Sequence, residues 1–223
     1  MSFLRKVLAI VWKDVRAELR TKDILSSMLV FAGLSVLIFQ FAFDLRADNV
    51  RLVLPGVLWI AITFAGVLGL NRSFILEQDR GSLEGLLLAP VDRSAIYFGK
   101  LIGNLLFIFV VELLLLPLMT VLFNVWLLSP AVLLVLALGT LGYAAVGTLF
   151  AALSINTRAR EVMLPILLFP VMVPVFVAGV QAVSRLLDGE SLADIVRWVQ
   201  LLVAYDAIFI AVAMLLFDYV VEE

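Results

Sequence analysis

"EQDRGSLEGLLLAPVDRS", Glu77 to Ser94, interrupts an apolar chain with acid, base and a short leucine block. Glu77 and Asp79 lead into Gly81, which supplies a turn. Ser82 is placed to cap a helix, and Glu84 to sit at its positive end. Leu83, Leu86 and Leu87 then share one face at i, i+3, i+4 spacing, and Pro90 ends the run. A helix of about one to two turns does not hold in isolation. It needs a surface to dock on: the membrane, the protein's own helix ends, or a partner. The surrounding acids and arginines would set register against a charged groove.

The chain on either side is far more apolar. Of 223 residues, 64% are hydrophobic and 15% charged, with a mean hydropathy of +1.16. Soluble domains are about a quarter charged, so composition points to a protein with several membrane spans. Cysteine and histidine are both absent. That excludes disulfides, thiolate metal sites and cysteine nucleophiles, and removes the commonest general base and haem-iron ligand. A net charge of −2 gives no basic footprint for nucleic acid. A nucleotide site is not legible either. The Gly99-Lys100 pair is followed by Leu101 and lacks the upstream glycine and the Ser/Thr of a phosphate-binding loop.

Six stretches are long and apolar enough to cross a bilayer: 24–43, 52–73, 101–124, 130–154, 161–182 and 197–219. The expected fold is therefore an all-α integral membrane protein, one six-span domain over 1–223. The first apolar run follows a charged lead and is longer than a signal h-region, so it is expected to be retained as a span. Lys and Arg give the orientation. Arg5, Lys6, Lys13, Arg16, Arg20, Lys22, Arg72, Arg80, Arg93, Lys100, Arg158 and Arg160 fall on one side. Only Arg46, Arg51, Arg185 and Arg197 fall on the other. Both termini and the connection at 74–100 are thus expected in the cytoplasm.

Residues 1–22 read as an amphipathic helix lying in the interface. Leu4, Val7, Leu8, Val11, Val15 and Leu19 recur at helical spacing, Lys13, Arg16 and Arg20 flank them, and Trp12 suits the headgroup level. The fifth span carries Pro165, Pro170 and Pro174 and is expected to be broken or kinked. In the outer loop at 183–196, Asp188-Gly189 reads as a turn and Ser191 with Asp194 as a capping box, predicting a short helix.

Two acids lie inside spans, Glu112 and Asp206. A charged group at that depth costs a few kcal/mol, about 2.5–3.5 on an insertion scale. Such acids face a protein interior or a cavity, as functional groups or as hydrogen-bonded packing contacts. Asn104 and Gln40 read as interhelical hydrogen-bond groups. Gly99, Gly103, Gly139, Gly142 and Gly147 read as sites of close helix packing.

The stretch "LNRSFILEQDRGSLEGLLLAPVDRSAIYFGKL", Leu70 to Leu101, resembles the haem exporter protein B family, the CcmB permeases of cytochrome c maturation. The six-span plan and the amphipathic N-terminus extend the likeness over nearly the whole chain. The resemblance implies the permease subunit of an ABC transporter, paired as a homodimer in a bacterial plasma membrane. It implies ATP and Mg on two ATPase subunits from a separate polypeptide, docked by a short coupling helix between spans two and three. The matching positions are Glu77, Asp79, Gly81, Ser82, Leu83, Glu84, Leu86, Leu87 and Pro90. A haem-handling membrane protein and a haem chaperone are the further implied partners. With no histidine here, and with Met119, Met163, Met172 and Tyr143 expected in the core, haem ligation is expected on a partner chain.

Three other readings fit the spans. One is a permease of the same build exporting a lipid, a polysaccharide or a drug. A second is an ion-coupled transporter using Glu112 and Asp206 as a proton relay. A third is a scaffold that only holds an ATPase at the membrane.

Overall fold

Apolar stretches of this length satisfy their backbone polar groups only by coiling, and the chain does so throughout. The computed structural model describes residues 2–42, 47–79, 85, 91–154, 157 and 160–220. Among these, the long helices are α1 (Phe3–Thr21), α2 (Asp23–Ala42), α3 (Ala47–Asp79), α4 (Arg93–Phe123), α5 (Pro130–Ser154), α6 (Arg160–Leu187) and α7 (Val196–Val220). The six from α2 to α7 are long and apolar enough to cross a membrane. No strand occurs among the described residues.

Burial separates the spans. In α5, 72% of the most apolar stretch is buried, and in α3 67%, against 22% in α2 and in α7. α3 and α5 therefore form the centre, with α4 and α6 packed on both of them. α2 lies against α3 and α4, and α7 against α4, α5 and α6.

The centre closes because large side chains seat on glycine. The Trp59 indole of α3 lies between Gly139 of α5 and Gly179 of α6, where a Cβ at either position would collide with the ring. Leu70 seats on Gly147 and Tyr143 on Gly66 in the same way. The glycines of α5 thus receive side chains from neighbouring helices. Hydrogen bonds run across the same contacts. Tyr143 donates to the Thr63 carbonyl at 2.7 Å, and Tyr97 to that of Ala145 at 3.1 Å. Asn104 Nδ2 donates to Thr148 Oγ1 at 3.1 Å. Gln40 Oε1, by contrast, is buried without a partner among the described residues.

Three features differ from the sequence expectation. α3 overruns the span at 52–73 at both ends, so the connection to α4 is shorter than 74–100. α6 is one uninterrupted helix through Pro165, Pro170 and Pro174. Each proline forfeits one donor, but α6 packs against α3, α5 and α7, and it continues through all three prolines without a break. The connection between α6 and α7 is a run of turns where a short helix was expected. α6 reaches Leu187, Gly189 takes a left-handed φ of 92°, and the remaining residues admit only one turn. Asp194 Oδ2 closes that turn on itself, accepting from the Ser191 backbone N–H at 2.9 Å and from its hydroxyl at 2.7 Å.

Candidate functional site

Glu77 and Asp79 belong to the last turns of α3. Gly81, Ser82, Leu83, Glu84, Leu86, Leu87 and Pro90 lie outside the described residues. Gly85, within that stretch, is exposed and helical.

Around the two ends of that stretch the molecule is tightly tied. α1 lies along the first turns of α4. Its Ile10 seats on Gly99, where a Cβ would meet the isoleucine at 2.7 Å. Val7 and Val11 form a small apolar cluster with Ala95, and Phe3 meets Phe98 edge to face at 6.2 Å between centroids. Two ion pairs close the contact. Lys6 Nζ lies 3.0 Å from Asp92, the N-cap residue of α4. Lys100 Nζ lies 2.9 Å from Asp14 and 5.4 Å from the centre of the Phe74 ring of α3. Lys100 is 1% exposed, so this ammonium joins α1, α3 and α4 from inside the protein. The Lys6 ammonium, hydrogen-bonded to Asp92, holds that exposed carboxyl below the usual carboxylate range.

α1 is fixed to α2 with similar economy. Only Lys22, in the left-handed region at φ 57°, separates the two helices. Glu18, buried at the end of α1, accepts from the N–H groups of Leu25 at 2.8 Å and Ile24 at 3.2 Å. One carboxylate thereby answers two of the donors that the start of α2 leaves open. The elbow between the helices has a set angle. What the arrangement can do is carry a displacement from the connection between α3 and α4 into three helices at once.

The apolar face read for α1 divides in two. Val7 and Val11, with Ile10, turn into the protein. Leu4, Leu8 and Leu19, with Trp12, remain exposed. Asp14, Glu18 and the role of Lys100 escaped the sequence reading, which counted Lys100 only as a positive charge. One signal was present: a lone lysine inside "YFGKLIGN" needs a buried counter-charge.

The two intramembrane acids are both buried, and both pack on α5. Glu112 of α4 accepts a hydrogen bond from the Thr140 hydroxyl. Asp206 of α7 lies against Gly142, and neither of its oxygens has a hydrogen-bond partner among the described residues. Among the described residues no hydrogen bond joins the two acids directly. Met119, Met172 and Tyr143 sit in the core, with the Met172 sulfur 3.3 Å from the Tyr205 hydroxyl. Among the described residues no cluster of acids has the form of a metal site.

A family model described as CcmB protein matches residues 5–222. The heme exporter protein B of Rhodobacter capsulatus is 29% identical, over 81% of this chain and 84% of its own. That of Pseudomonas aeruginosa is 26% identical over 86% of each chain. That of Paracoccus denitrificans is 25% identical, over 79% of this chain and 82% of its own.

Proposed function

The chain belongs to the CcmB protein family, and from that premise we propose that it is the membrane permease subunit of an ATP-driven haem exporter. It carries no catalysis of its own. ATP and Mg bind a separate ATP-binding cassette subunit, and the permease turns that subunit's movements into movement of its spans. Two copies pair in a bacterial plasma membrane, with both termini and the connection after α3 in the cytoplasm. The outcome is export of haem, or its release to a chaperone through a haem-handling membrane partner, during c-type cytochrome assembly.

The observation that carries this reading is the family match across 5–222, with relatives named heme exporter protein B along most of their length. The geometry supports the mechanical half. A partner pressing on the connection at 80–92 acts directly on Asp92 and the start of α4. Through Lys6 and Lys100 the same push reaches α1 and the end of α3. The residues proposed to meet the ATPase are Glu77, Asp79, Gly81, Ser82, Leu83, Glu84, Leu86, Leu87 and Pro90. Haem is cargo here, with its iron held by a partner chain.

Replacing both Leu83→Asp and Leu87→Asp tests the docking. Co-purification of the ATPase subunit is expected to fall about ten-fold or more, the scale of a lost hot-spot contact, while membrane insertion stays normal. Full retention of the ATPase would remove the docking role. The ion-coupled reading would rest on Asp206 and its unpartnered carboxyl. Export that persists after deletion of the ATPase would favour it over the present one.

A further inference from the structure

α1 has three faces, and two have their occupants. Val7, Ile10 and Val11 pack into the protein. Leu4, Leu8, Trp12 and Leu19 stand between 61% and 70% exposed, an apolar row that matches the acyl boundary of a bilayer. The third face is a groove of about 390 Å³ lined by Ala9, Trp12, Lys13, Arg16, Ala17 and Arg20. We propose that this groove binds the headgroup of an anionic phospholipid.

The spacing makes the groove. Ala9, Lys13, Arg16 and Arg20 follow one another at i, i+4, i+7 and i+11, so they share a stripe. The two alanines leave a floor, and the long side chains form its walls. No acid lines it. Asp14, the adjacent carboxylate, is held by Lys100. Arg16 and Arg20 are exposed and make no ion pair among the described residues. Trp12 borders the groove and belongs to the apolar row as well, and an indole prefers the depth of the headgroups. With Trp12 at that depth, the three cations stand at the level of the phosphates. An acidic protein surface would satisfy the cations but leave the adjoining leucines in water, so the two faces together favour lipid. The inference is independent of the ATPase reading. It also has a consequence for the elbow. Lys13 lies 3.3 Å from Asp14, and a phosphate drawn onto Lys13 leaves that carboxylate to Lys100.

Native mass spectrometry of the full chain, titrated with phosphatidylglycerol and separately with phosphatidylcholine, tests this. The wild type is expected to bind phosphatidylglycerol more tightly, with an advantage that collapses as salt rises. The double variant Arg16→Gln/Arg20→Gln should lose about five-fold in phosphatidylglycerol affinity per cation removed, with phosphatidylcholine affinity unchanged. Arg16→Lys/Arg20→Lys should keep most of it. An unchanged affinity in the glutamine variant overturns the proposal. A wild-type advantage insensitive to salt does the same, whether or not the variants fold. If the glutamine variant keeps its lipid but loses a co-purifying ATPase, the groove is a protein-docking surface and the proposal fails.

Discussion

The two ends of the helical bundle are built on opposite principles. At the end that carries α1, two ion pairs join residues far apart in sequence, one of them exposed and one buried. Lys6 and Asp92 are 86 residues apart, and the Asp14–Lys100 pair is almost closed to solvent. At the other end the ties are exposed, and the charged pair and the turn contact are local. Arg185 pairs with Glu190 at 3.3 Å, and Ser191 with Asp194. The Arg51 guanidinium, donating to the Leu187 carbonyl at 3.1 Å, adds an exposed contact across 136 residues. A turn tied to itself can move without disturbing the helices it joins. Helices tied across the chain move together or not at all. The difference suits the proposed coupling, in which a partner pushes at one end and the other yields.

The comparison breaks most visibly at Lys100. Lys100→Met leaves Asp14 without its main counter-charge and is expected to cost about 3 kcal/mol, the low end for a broken buried pair, because Lys13 still lies 3.3 Å away. Unfolding of the full chain in detergent measures it. The double variant Lys100→Met/Asp14→Asn should recover much of the loss. If Lys100→Met cost no more than Arg185→Ala at the other end, the contrast would not stand.

Glu18 gives a smaller and sharper comparison. Glu18→Ala leaves two N–H groups at the start of α2 unanswered and should cost about 1–2 kcal/mol. Faster amide exchange should appear at Ile24 and Leu25. Asp194→Ala, which opens an exposed turn, should cost less than Glu18→Ala. Equal costs for the two would mean that the α2 start finds other partners.

The smallest effect is with pH. Asp92 is held below its ordinary value by its bond from Lys6. The contribution of that tie is therefore complete above the ordinary carboxyl value and is lost as pH falls through the lowered one. Amide protection in the first turns of α1 should hold from neutral pH down to about pH 4 and decline only below it. A decline nearer neutrality would place the controlling group elsewhere.

The spans were legible because their signal is local: about 20 apolar residues in a row need no partner to be recognised. The ties were not, because each is a meeting of distant residues. Ile10 reads as one more apolar position on α1 until Gly99 is seen to receive it. Glu18 reads as surface charge until the chain turns at Lys22 and brings two N–H groups to it. The division of the α1 apolar face escaped for the same reason, since spacing gives a stripe but not which part of it meets lipid. The prolines of α6 do not break it, since their local rule holds for an isolated helix and this one has neighbours on several sides.

The indole of Trp59, lodged between a glycine of α5 and a glycine of α6, restricts which strokes the machine can make. A ring set in a slot with walls on two helices works as a pin. α3 cannot slide lengthwise past either neighbour until the ring leaves its slot, whereas tilting about the ring leaves it seated. Under the proposed coupling, movement delivered to the end of α3 would be converted from thrust into rocking about a fulcrum at Trp59.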